Sequence, residues 1–185
     1  MRIGKVIPVL PDEYNTQIGA IIAKWATLEF LMMTIIWRAM GLDNEEGRVL
    51  TVGMGTNVLL GILRNLPKRW IADDLTKKEV ADLVKAVGES VEARNYLAHG
   101  VWTRFEGDPL PYLNFMKQGD HRILPAAQPV SPSQLQSISR VFDDMIILAH
   151  QILQRLGPGD VAPPLPDIHG EQNPAGFPNQ TQTEK

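Results

Sequence analysis

Residues 18–40 read IGAIIAKWATLEFLMMTIIWRAM, and whether this stretch spans a membrane or forms a core helix decides the fold. A span needs about 20 predominantly apolar residues in a row. Lys24, Glu29 and Arg38 interrupt this run. At about 100° per residue, Ile18, Ile21, Ile22, Trp25, Met32, Met33, Ile36 and Met40 share one face, with Lys24 and Arg38 on the other. The stretch therefore reads as a core helix. Working outward, Asp12 after Pro11 is a favoured N-cap and Gly41 a favoured C-terminal stop, which predicts a helix over 12–40.

Three more helices are predicted. The second runs over 43–66, with Asp43 and Glu46 at capping-box spacing, Val52, Leu59, Ile62, Leu63 and Leu66 on one face, and Pro67 ending it. Gly53, Gly55 and Gly61 weaken it. The third opens at Thr76-Lys77-Lys78-Glu79, a capping box, and continues through Val80, Val84, Val87 and Val91 to His99, with Gly100 as a left-handed stop. The fourth opens at Ser131-Pro132-Ser133-Gln134 and carries Leu135, Ile138, Phe142, Met145, Ala149, Ile152, Leu153 and Leu156 on one face. Ile147 lies on the opposite side, which suits contact with a partner chain. Between the third and fourth helices, 101–105 and 111–116 flank Gly107-Asp108-Pro109, the pattern of a short β-hairpin or extended loop. The expected class is all-α, a four-helix up-down bundle with that hairpin after the third helix. Residues 1–11 are an N-terminal arm and 12–156 the helical domain. Residues 157–185, which hold six of the fourteen prolines, are expected to be a disordered tail.

Composition narrows the chemistry. With no cysteine among 185 residues, a disulfide framework, a thiolate nucleophile and a Cys-ligated zinc site are excluded. His99, His121, His150 and His169 have no metal-ligand spacing, so neither metal nor cofactor is expected. No signal peptide is read at the N-terminus, and a cytoplasmic location away from membranes is expected. The net charge of −3 is unlike that of a protein that wraps duplex nucleic acid. Any RNA contact must be local, or two subunits must pool their charge. Gly53-Met54-Gly55-Thr56 lacks the Gly-Lys-Ser/Thr of a phosphate-binding loop. Arg64, Lys68 and Arg69, beside Trp70, form a basic–aromatic cluster able to guide RNA, or else a solvated helix end.

The informative residues are polar groups on apolar stripes. Extending Val80, Val84, Val87 and Val91 leads to Arg94 and Asn95, with His99 one turn beyond Asn95. An unpaired buried charge costs several kcal/mol, so Arg94 must meet a carboxylate, an anion or water. Glu29, on the first helix between Trp25 and Met32–Met33, is expected to face Arg94 or His99. An Arg–Glu pair of this kind also serves as plain architecture, and a histidine at a helix end also serves as a cap.

Arg94-Asn95-Tyr96-Leu97-Ala98-His99, followed by Gly100, resembles the Arg-x4–6-His motif of HEPN domains, in which a polar residue follows the arginine. Trp25-Ala26-Thr27-Leu28-Glu29 is similar to a Trp-x-x-Leu-Glu stretch in the early helix of many such bacterial proteins. The resemblance covers about 12–156. It implies a homodimer with both motifs lining one cleft, and metal-independent endoribonuclease activity in a toxin–antitoxin or phage-defence setting. An antitoxin or other regulatory protein would then be a partner. His99 would be the general acid/base, Arg94 the phosphate clamp, Asn95 the positioner and Glu29 a supporting residue. Val101 stands where relatives silenced by nucleotidylation carry a tyrosine, so that control is not expected. Many HEPN-like domains do not cleave RNA, and a non-catalytic dimerisation or ligand-binding module is the alternative. An unrelated helical bundle with accidental Arg–His spacing is a third.

Overall fold

In the computed structural model, which describes residues 5–6, 10–104, 107–114 and 128–157, the apolar run lies inside one 29-residue helix, α1 (Asp12–Met40). It ends as expected at Gly41, whose φ of 69° is left-handed. By length and composition α1 is able to cross a membrane. Its Ile21, Leu28, Met32, Ile35 and Ile36 are instead fully buried within the protein.

The expected second helix is two. The chain forms α2 (Asn44–Thr51), turns at Gly53 with φ 77°, and restarts as α3 (Thr56–Arg69). Two glycines on either side of Met54 make this break cheap, because only glycine enters the left-handed region without steric cost. The Asp43–Glu46 capping box is present. Pro67 does not end α3 but sits inside its last turn. The third predicted helix, α4 (Asp74–His99), starts two residues before the Thr76 box. Its cap is Asp73, which accepts from Thr76 N (2.7 Å) and Thr76 Oγ1 (2.6 Å). These bonds, the side-chain one first, hold the Asp73 carboxyl below its ordinary pKa. Gly100 is not left-handed; its φ of −74° is extended because the chain passes directly into a strand. The last helix, α5 (Pro132–Arg155), has the expected Ser131–Gln134 capping box and Pro132 in its first turn.

The strands are β1 (Lys5–Val6), β2 (Val101–Arg104), β3 (Tyr112–Asn114) and β4 (Gln128–Pro129), in the order β1-β2-β3-β4. All neighbours are antiparallel. The hairpin is thus a sheet, and part of the N-terminal arm belongs to it through Lys5↔Arg104 and Val6↔Thr103. The expected tail from 158 onward, and His121 and His169, lie outside the described residues.

Helix directions follow from long-range contacts. Tyr14 Oη donates to Val130 O at 2.9 Å, and Lys24 Nζ to Ser139 Oγ at 2.8 Å and Asp143 Oδ2 at 2.7 Å. Arg38 Nη1 donates to the Leu153 and Gly157 carbonyls, both at 3.1 Å. The partners advance together, so α1 and α5 run parallel. The predicted polar face of α1 therefore clamps α5. α4 opposes both, with Glu79 paired to Arg155 at 2.9 Å and Trp102, beyond the end of α4, against Tyr14. A four-helix up-down chain would leave its first and last helices antiparallel. The break at Gly53 adds a fifth helix to the chain, and the first and last helices run parallel. Among the described residues the protein is nonetheless mostly helical, with one small sheet.

The core joins α1, α3, α4 and α5. Trp25 and Phe142 meet at 5.3 Å between ring centroids. Trp37 donates Nε1–H to Thr51 Oγ1 at 3.1 Å and closes α2 onto α1.

Gly47 lies under the Trp37 ring, and a methyl group there would be driven into the indole. Gly47→Ala is expected to lower stability by about 1–3 kcal/mol through overpacking. Gly61→Ala meets open space and is expected to raise stability by about 0.5–1 kcal/mol. Urea melts of both variants check the pair; a stable Gly47→Ala would mean that α2 is not docked on Trp37.

His150 on α5 is half-buried, its Nε2 has no hydrogen-bond partner among the described residues, and burial pushes its imidazole below the ordinary pKa. The unfolded chain then takes up the proton first, near pH 6.5. The stabilising contribution is complete above that value and is lost as pH falls toward the lowered folded pKa. Thermal melts between pH 7.5 and 5 are expected to be less pH-dependent in His150→Gln than in the wild type. Equal slopes would refute the assignment.

Candidate functional site

The last turns of α4 carry Arg94, Asn95 and His99. Leu97 is buried and seats this end of the helix on the core. Arg94 and His99 are five residues apart, roughly 7.5 Å along the axis and about 140° around it. They therefore leave the helix in different directions. Arg94 is half-buried and leans inward, whereas His99 is exposed at the helix end.

Arg94 does not pair with Glu29. Its Nη1 donates to Asn95 Oδ1 at 2.9 Å, and its guanidinium lies over the Trp25 ring, 5.7 Å from the centroid. Arg94 Nε and Trp25 Nε1 are both buried and without a hydrogen-bond partner among the described residues. An aromatic face thus takes the place expected for a carboxylate, since the ring quadrupole attracts a cation without a second charge having to be buried. Asn95 lies between Arg94 and His99 around the helix and holds the arginine's edge.

Glu29 serves another helix. It accepts a short hydrogen bond from Thr56 Oγ1. Thr56 is the first residue of α3, whose N-cap is Gly55, with no side-chain cap and no acid in the first turn. The Glu29 carboxylate supplies from α1 the negative charge that a helix N-terminus favours. The supporting acid is therefore tied to the start of α3, not to the motif.

The predicted basic cluster sits elsewhere on the chain. Arg64 lines a groove of about 520 Å³ between α3 and α4 with Pro67, Val84, Lys85, Gly88 and Glu89. Lys68 and Arg69 are exposed in the last turn of α3, and Arg69 lies 5.5 Å over the half-exposed Trp70 ring. Because Pro67 is level with Val84, this end of α3 is roughly 20 Å from His99 along α4. Within one chain Lys68 and Arg69 do not join the motif, whereas Arg64 reaches the level of Gly88, roughly 9 Å from Arg94 along α4. Among the described residues no group of three or more His, Asp or Glu side chains is placed to hold a metal.

Trp25 and Thr56 were not singled out by sequence reasoning as partners of the polar residues. Trp25 does lie one turn before Glu29 on the stripe, but helical periodicity says nothing about which group on another helix a ring will meet. Comparison of the chain with models of known families, with characterised proteins and with solved structures gives no match.

Thr56→Val is expected to destabilise the protein by about 1 kcal/mol, since it leaves Glu29 half-buried without its donor. Because Glu29 and Arg94 have separate partners, combining Thr56→Val with Arg94→Met should give additive losses. Coupling above about 0.5 kcal/mol in denaturant melts would instead show that the two residues act together.

Proposed function

We propose that this chain is a HEPN-type endoribonuclease acting without metal or cofactor at the cleft of a homodimer. On this reading α1, α3, α4 and α5 are the HEPN bundle and α2 is a short addition. The observation that carries the proposal is the exposed His99 at the end of α4, one turn from an asparagine that grips an arginine.

RNA brings its own nucleophile. The 2′-oxygen attacks the adjacent phosphorus, the 2′-O–P bond forms and the P–O5′ bond breaks. The products are a 2′,3′-cyclic phosphate and a 5′-hydroxyl. One proton leaves the 2′-oxygen and one must reach the 5′-oxygen. On this reading His99 of one subunit and its counterpart in the second copy divide these roles. Arg94 answers the charge that grows on the phosphate oxygens, and Asn95 holds its orientation. Two motifs in one cleft also double the local positive charge, which offsets the overall −3. The setting would be a cytoplasmic toxin–antitoxin or phage-defence system with an antitoxin or other regulatory protein as partner. Arg64, Lys68 and Arg69 would then contact RNA outside the cleft.

One observation favours a second reading, a non-catalytic HEPN-like module that dimerises and binds a partner. Arg94 already lies over a buried ring and has its Nη1 on Asn95, as a structural arginine would.

Purified wild type and His99→Ala, incubated with total RNA and tRNA in EDTA, separate the two. The nuclease reading expects cleavage by the wild type, 2′,3′-cyclic phosphate ends, and a loss of at least about 100-fold in His99→Ala. No cleavage by a folded dimer across a broad RNA panel would overturn it in favour of the module.

A further inference from the structure

We infer that Trp25 is a positioning residue for Arg94, the indole face fixing the plane in which the guanidinium meets a phosphate; the inference rests on the nuclease reading above. An arginine side chain has several rotatable bonds, and a guanidinium offers its donors in one plane only. Two restraints fix that plane here. Its Cζ is held over the Trp25 ring, 5.7 Å from the centroid, and one edge is held by Nη1 donating to Asn95 Oδ1 at 2.9 Å.

The ring itself has little freedom. Trp25 is 1% exposed, and Phe142 of α5 lies against it at 5.3 Å with the planes inclined by 51°. The clamp therefore runs from α5 through Phe142 and Trp25 to Arg94 on α4. The indole N–H takes no acceptor among the described residues. What Trp25 contributes is its aromatic face and not its donor, so another aromatic ring should replace it and an aliphatic side chain should not.

A purely architectural Trp25 predicts something different. Its replacement would then cost activity only in proportion to lost stability, and the loss would be independent of residue 94.

The test is steady-state cleavage of one RNA in EDTA by the full chain and four variants: Trp25→Leu, Trp25→Phe, Arg94→Lys and the double variant Trp25→Leu/Arg94→Lys. Trp25→Leu is expected to lower kcat about tenfold with KM nearly unchanged, and Trp25→Phe to stay within about threefold of wild type. Adding Trp25→Leu to Arg94→Lys is expected to cost nothing further, because lysine has no plane to orient. Equal loss in Trp25→Leu and Trp25→Phe, or additive losses in the double variant, would overturn the inference while leaving the nuclease intact. A wild type inactive on all RNA would overturn the nuclease reading, and this inference with it.

Should Trp25→Leu fail to fold, the Arg94 Nε–H proton resonance decides. Assigned by its disappearance in Arg94→Lys, it is expected well upfield of a free arginine, from the indole ring current, in the wild type. A resonance at the free-arginine position would overturn the inference.

Discussion

The parallel seam between α1 and α5 is the constraint on which the other helices depend. Two helices running the same way place like ends of their macrodipoles together, an arrangement without electrostatic benefit. It is held by apolar burial along the whole length, centred on Trp25 and Phe142, and by three polar ties at Tyr14, Lys24 and Arg38. Arg38 also offers a positive charge to the carbonyls at the end of α5, where the dipole is negative. On this seam α4 packs antiparallel to both helices. Its C-terminal turns, and the residues proposed to act on RNA, then lie level with Trp25.

The environment of Arg94 follows from the same geometry. A helical core cannot hold an unpaired guanidinium, and the obvious remedy is a nearby acid. This fold uses a ring that the seam has already buried, and it sends the acid, Glu29, to the uncapped start of α3. One charge is thereby accommodated without burying a second. Because this arrangement is also that of a structural arginine, the functional proposal rests on the exposed His99.

Much of this was legible in the chain, and the parts that were not share a cause. The bounds of α1, the Asp43 and Ser131 capping boxes and the hairpin after α4 are local patterns, set by residues within a few positions of one another. The break at Gly53 was visible as a weakness but not as a stop, since three glycines in a helical pattern do not say where the chain turns. Thr76 looked like a cap because its spacing to Glu79 was right, yet Asp73 offered a better acceptor three residues earlier. The pairing of β1 with β2, the stack of Arg94 on Trp25 and the bond from Thr56 to Glu29 all join distant segments. Periodicity fixes the face on which a residue lies but not what will lie opposite.

The partners along the seam are separated by more than a hundred positions, 115 between Lys24 and Ser139. A chain made at about 5–20 residues per second takes roughly 6–23 s to produce that interval. Through that time α1, apolar enough by composition to pass for a membrane helix, has emerged while its principal cover has yet to be synthesised. This apolar helix is thus made well before the segment that covers it. The protein's yield in the cell would therefore depend on what shields α1 during translation as much as on the stability of the finished fold.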